Sequence, residues 1–118
     1  MYAVIFELEP APEKLSNYLQ MAQSLKDELA RIEGFISVER FESLSCPGRY
    51  LSLSFWRDEK SLTAWRNLAS HRYVQQLGRD ALFTDYRLRV AKVARDYGLH
   101  EREQAPTDSQ RWHSGERL

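Results

Sequence analysis

The spacing of apolar and polar positions changes repeatedly along this chain, and each change marks an element. Residues 2–8, YAVIFEL, are β-branched or aromatic in the main and are stopped by Pro10 and Pro12, which predicts a strand. Tyr2, Val4, Phe6 and Leu8 fall on one side of it, and Ala3, Ile5 and Glu7 on the other. A strand apolar on both sides is covered on both sides. Over residues 13–32 the period becomes helical, with Leu15, Tyr18, Leu19, Ala22, Leu25, Leu29 and Ile32 at three- and four-residue steps. Pro12 suits its first turn and Gly34 its end.

Residues 35–42 (FISVERFE) and 50–56 (YLSLSFW) read as two strands of a hairpin joined by the turn-rich SLSCPGR. In the second, Leu51, Leu53 and Phe55 share a face. Ser52, Ser54 and Trp56 share the other, which is polar enough to line a cavity or lie under a partner. Asp58 is placed to cap a helix beginning at Glu59 and carrying Leu62 and Trp65 inward. The stretch 67–70 interrupts it, and Ser70 caps a second helix over about residues 71–83. The inner stripe of that helix is Val74, Leu77, Gly78, Ala81 and Leu82. Residues 86–95 alternate as a last strand, closed by Tyr97 and Gly98.

The order is β-α-β-β-α-β with the second helical region split in two. It predicts an α+β, ferredoxin-like domain over residues 1–97, with helices on one face of a four-stranded antiparallel sheet. Residues 98–118 are polar, lack a period and contain Pro106, as expected of a mobile tail, with Trp112 and His113 available for docking. Helices cover one face of such a sheet, so the second apolar face calls for a second copy. The expected assembly is a homodimer packed sheet on sheet, a dimeric α/β barrel.

Composition narrows the function classes. The 118 residues make one domain, and a 42% hydrophobic and 12% aromatic content is that of a globular chain. Lys plus Arg and Asp plus Glu are 17 each, so no net positive charge favours nucleic acid. Cys46 is the single cysteine and lies in a Cys-Pro-Gly turn, which fits a reducing compartment. No apolar run approaches the roughly 20 residues of a membrane span, and Glu7 and Glu9 follow the first strand without a basic leader. A cytoplasmic protein is expected.

Candidate chemistry concentrates in residues 56–79. His71, three residues before Val74, extends the second stripe to a helix N-terminus, where the backbone disfavours imidazolium and leaves a neutral base, acceptor or ligand. A local cap or packing histidine is the competing reading. Trp65 and Trp56 supply an aromatic wall suited to a flat, apolar, conjugated ligand, or else plain core. Gly78 permits close approach of a strand or a ligand. Arg72 and Arg79 are solvated charges or orient an anion. Glu7 shares a face with Ala3 and Ile5 and is read as pointing toward the helices, or as a strand-end carboxylate. No carboxylate or cysteine cluster accompanies His71, so no metal site is expected. There is no P-loop, GxGxxG, nucleophile elbow or CxxC.

YAVIFEL, then EGFISVERFES, then LSLSFWRDEKSLTAWRNLASHRYVQQLGR together resemble the antibiotic biosynthesis monooxygenase domain family of dimeric α/β-barrel proteins, over residues 1–97. The resemblance implies a pocket between helices and sheet in each subunit, with Trp65 matching the family's pocket tryptophan. It also brings in haem-degrading relatives, which carry an asparagine on the first strand and a histidine late in the last helix. Those places hold Glu7 and Gln75 here, so haem would need His71 from another place.

The expected function is a cofactor-independent monooxygenase acting on a conjugated aromatic or quinol-type small molecule that reduces oxygen once deprotonated. His71 and Trp65 would be the catalytic residues, and Trp56, Glu7, Arg72 and Gly78 would contact substrate. The alternatives are a non-catalytic dimeric small-molecule-binding or stress-response protein, and a haem-binding or haem-degrading protein.

Overall fold

The structure is a computed structural model that describes residues 1–77 and 82–108, with side chains described outside 70–77. Strand β1 is Tyr2–Pro10, β2 Phe35–Glu42, β3 Tyr50–Trp56 and β4 Phe83–Lys92. Helix α1 is Leu15–Leu29, entered through one 3-10 turn at Pro12–Lys14, and α2 is Glu59–Leu77. The strands form one sheet in the order β2-β3-β1-β4, with every neighbouring pair antiparallel. That is the ferredoxin-like arrangement expected of the sequence.

Both helices lie on one face. Val4, Phe6 and Leu8 of β1 are buried there beneath Tyr18, Met21, Ala22, Leu25 and Leu29 of α1. Leu19, counted on the inner stripe by spacing alone, is 44% exposed, and Met21 takes the buried position. The core falls into two clusters. One centres on Tyr18, Phe6 and Leu82, the other on Trp56, Val4 and Leu62, and Leu68 of α2 packs against both.

Three local junctions fix the helices over the sheet. Gly34 follows α1 with φ +92°, and an added Cβ would collide with the Ser61 hydroxyl. That hydroxyl lies 2.8 Å from the Glu33 carbonyl and 2.7 Å from Asp58 Oδ1, sharing its one proton between them. Asp58 caps α2 as the spacing predicts, its Oδ1 accepting from the Ser61 backbone N–H at 2.9 Å.

Two expectations are corrected. Helix α2 is not split: it runs unbroken through 67–70, because Leu62, Trp65, Leu68 and Ala69 keep a single face packed on the sheet. Packing of an amphipathic face outweighs the low local helix propensity of Asn67 and Ser70. Strand β4 also begins earlier than expected, at Phe83, whose register against Pro10 is set by an irregularity at Glu9/Pro10. Leu82, assigned by spacing to a helix, is 2% exposed on the approach to β4.

Residues 97–108 fold back on themselves. The Asp96 N–H donates to Gln104 Oε1 at 2.8 Å, Arg102 Nη1 donates to the Gly98 carbonyl at 3.0 Å, and Ala105 is buried. Trp112 and His113 lie outside the described residues. Among the described residues, no helix is long and apolar enough to cross a membrane.

Candidate functional site

The layer between α2, α1 and the sheet collects the aromatic side chains. Trp56 ends β3 and is 0% exposed, and its Nε1–H donates to Ser54 Oγ at 2.9 Å two residues back on the strand. This pair explains the Ser/Ser/Trp face: Ser54 supplies the acceptor that a buried indole N–H requires. Trp56 is therefore core. It makes an edge contact with Phe35 at 5.3 Å and stands behind Trp65, whose ring centroid is 6.2 Å away. Trp65, on α2, is only partly buried, as is Leu68 one turn further on. These two are the partly exposed members of the layer, and Trp56 packs against Trp65.

At the other end of the same layer, Tyr18 packs against Phe83 at 5.8 Å and Tyr50 at 6.3 Å. Its hydroxyl is buried without a hydrogen-bond partner among the described residues. Burial, the larger effect, raises the phenol above its ordinary value, and the Arg40 charge pulls the other way. Burial and the Glu42 carboxylate likewise raise Tyr50. Arg40 reaches up from β2, where its Nη2 donates to the Ala22 carbonyl at 3.2 Å and its Nε is buried and unpartnered among the described residues. Tyr18 entered the sequence reading only as a core position, and Arg40 did not enter it. The available signal was the alternation in FISVERFE, which puts Arg40 on the same strand face as Val38, and Val38 packs in the core.

Glu7 is elsewhere. Its register partners are Leu51 and Arg87, and its neighbours Phe6 and Leu8 are the residues turned to α1, so Glu7 lies on the face no helix covers. Its carboxylate accepts from Arg89 Nη1 at 3.0 Å and has Arg49 at 3.9 Å. It lines an open cleft of about 370 Å³ with Phe41, Arg49 and Leu51 at the hairpin end of the sheet. The expectation that Glu7 points toward the helices, and with it a role in the helix–sheet pocket, is overturned by strand parity.

The backbones of His71 and Arg72 belong to α2, but their side chains lie outside the described residues, and Gly78 lies outside them altogether. Because α2 is unbroken, position 71 is in the body of a helix and not at an N-terminus. The argument for a neutral imidazole from unpaired N–H groups therefore falls. The same continuity sets position 71 about 9 Å along the axis from Trp65.

A helix-covered antiparallel sheet in the order β2-β3-β1-β4 defines a ferredoxin-like domain, and comparison with known proteins gives it a family. Residues 1–77 match the family model for antibiotic biosynthesis monooxygenase, and the chain belongs to that family. It is 56% identical over 93 residues to the jasmonate monooxygenase ABM of Pyricularia oryzae, covering 79% of this chain and 43% of that relative. The chain thus spans less than half the length of that protein. It is 31% identical to the YqjZ protein of Bacillus subtilis over 80% of each. Among solved structures, Rv0793 from Mycobacterium tuberculosis superposes with a TM-score of 0.68 at 19% identity, over 82% of this chain and 98% of that one. That likeness establishes the fold.

Proposed function

We propose that this protein is a monooxygenase acting on a small, mainly apolar molecule held between α2, α1 and the sheet, with jasmonate-type carboxylates as its substrate class. The observation that carries the reading is the partly buried Trp65 ring, 6.2 Å from a fully buried Trp56, inside a family of monooxygenases. A partly exposed ring packed against a fully buried one offers a preformed apolar surface, which lowers the ordering cost of binding. The 56% identity to a jasmonate monooxygenase supports a carboxylate substrate over the quinol class expected from the sequence.

Monooxygenation places one atom of O2 in the substrate and reduces the other to water. If the substrate supplies all four electrons, a CH2 group becomes a carbonyl. If it becomes an alcohol, an external reductant supplies two of them. Cofactor independence therefore predicts a ketone, and an alcohol would identify a reductant as co-substrate. The first case requires a base at the substrate carbon. Trp65 and Leu68 exclude water from the reacting carbon.

The helix-free face is the proposed dimer surface. Register puts Ile5 opposite Leu53, Ala3 opposite Phe55 and Phe41 opposite Leu51 on that face, and Phe41 is 42% exposed. A second copy, packed sheet on sheet, covers this patch.

The test of the proposed function is oxygen uptake and product mass with jasmonate and with an anthrone-type phenol, each with and without ascorbate. Jasmonate-dependent uptake that falls at least tenfold in Trp65→Ala supports the reading. Uptake with the phenol alone returns the substrate to the quinol class.

A further inference from the structure

We infer that Tyr18 and Arg40 form a carboxylate-binding subsite at the end of the helix–sheet layer away from Trp65. The inference deepens the function proposed above and rests on it for the location of the ligand.

The argument begins with hydrogen-bond inventory. The Tyr18 side chain is 1% exposed, and its hydroxyl, close enough to Arg40 for that group's charge and hydrogen bonding to act on it, meets no partner at full hydrogen-bond geometry among the described residues. Arg40 Nε, a donor and never an acceptor, is buried nearby in the same condition. Buried polar groups are paired in the great majority of cases, and an unpaired one costs stability. Two such groups in one place point to an occupant that accepts from both.

Charge selects the occupant. The phenol is held protonated by burial, so at neutral pH Tyr18 is available as a donor, and Arg40 brings a full positive charge to the same place. Two donors and a cation favour an anionic oxygen acceptor. Arg40 is preorganised, because its Nη2 is tied to the Ala22 carbonyl at 3.2 Å, which fixes the guanidinium under α1. The flanking rings are aromatic, Tyr50 and Phe83 beside Tyr18, and the Glu42 carboxylate acts on the Tyr50 hydroxyl. Such walls strengthen a charge-assisted hydrogen bond by lowering the local dielectric.

Position completes the argument. Val38 packs in the cluster that contains Trp56 and Trp65, and Arg40 is two residues further along the same strand face, about 7 Å away. Leu68 bridges the two clusters. A small acid whose apolar body lies on Trp65 and Leu68 would reach Arg40 with its carboxylate. The subsite would then determine which end of the substrate faces oxygen.

The test is calorimetric titration at pH 7 of the intact protein with jasmonate and with decanoate, each against its methyl ester. The expected result is that an acid binds at least tenfold more tightly than its ester, and that Arg40→Gln and Tyr18→Phe each close most of this gap. Tyr18→Phe should also raise the melting temperature, because it deletes a buried hydroxyl with no partner. Three results would overturn the subsite: neither acid binding, an acid and its ester binding equally to the unaltered protein, or Arg40→Gln weakening both equally. A fall in melting temperature in Tyr18→Phe with the acid preference intact would also overturn it, and would mark the hydroxyl as structural. Turnover is scored separately. Arg40-dependent binding of acids without oxygenation of jasmonate upholds the subsite and rejects the substrate.

Discussion

Glu7 accepts a hydrogen bond from Arg89 at 3.0 Å, from β1 to β4, on the face of the sheet opposite the helices. The pair is partly exposed, with side-chain accessibilities of 35% for Glu7 and 51% for Arg89, so in the isolated chain it contributes about 0–1 kcal/mol. Its significance is positional. It borders the apolar patch of Ile5, Leu53 and Phe55 that a partner would cover. Leu53→Asp puts a carboxylate at the middle of that patch and should convert a dimer at micromolar concentration into a monomer in sedimentation. An unaltered dimer in Leu53→Asp, or a monomer in the parent protein, removes sheet-on-sheet association from the account.

Trp56 and Ser54 give a second prediction. Ser54→Ala leaves the Trp56 N–H buried without an acceptor and should destabilise the fold by about 1–3 kcal/mol in denaturant unfolding. With Ser54→Ala already present, Trp56→Phe removes the orphaned donor and should cost less than it does in the parent. Purely additive effects would mean that the hydrogen bond contributes nothing.

Gly34 gives a third. Its φ of +92° and the Ser61 hydroxyl beside it leave no room for a side chain. Gly34→Ala should destabilise by about 1–3 kcal/mol. Ser61→Ala removes the obstructing oxygen but not the backbone strain, so it should rescue Gly34→Ala only in part. Full rescue would show that the clash alone matters.

The cap of α2 carries a pH signature. Bonds from the Ser61 hydroxyl and backbone N–H, then from Arg57, lower Asp58 to about 2, against an ordinary value of 3.8. The folded state therefore binds this proton more weakly than the unfolded chain does. The contribution is fully present above about pH 4 and is lost as pH falls toward 2. Asp58→Asn keeps a capping oxygen without the charge. The melting-temperature difference between parent and variant should shrink between pH 4 and pH 2, and a difference constant with pH would contradict the assignment.

The sequence carried the architecture because periodicity is a local property. The β-branched and aromatic run YAVIFEL, stopped by prolines, and the three- and four-residue steps through α1 each report an element, and the topology follows from their order. Periodicity gives the faces of a strand but not which one looks at the helices. For β1, apolar on both sides, that sign is undetermined from sequence, and of the two readings of Glu7 the structure selects the partly exposed carboxylate away from the helices. The break expected at 67–70 followed local propensity, which tertiary packing of Leu62, Trp65 and Ala69 overrode. Arg40 was invisible because a charge in a strand reads as solvent-facing until the helix above it is in place. Resemblance to the family marks Trp65 as a candidate pocket residue, and the structure adds that it is partly buried against Trp56, whose own buried role needed the Ser54 hydrogen bond.

The central claim is that the layer holding Trp65 oxygenates a small substrate. The direct measurement is oxygen consumption with jasmonate, with product mass, for the parent protein and Trp65→Ala at matched folded fraction. The account predicts substrate-dependent uptake and a product heavier by one oxygen atom, or by one oxygen less two hydrogens where a ketone forms. It predicts at least a tenfold fall in Trp65→Ala, since the variant loses the apolar surface that orients the substrate. Substrate-dependent oxygenation that is undiminished in Trp65→Ala would contradict it.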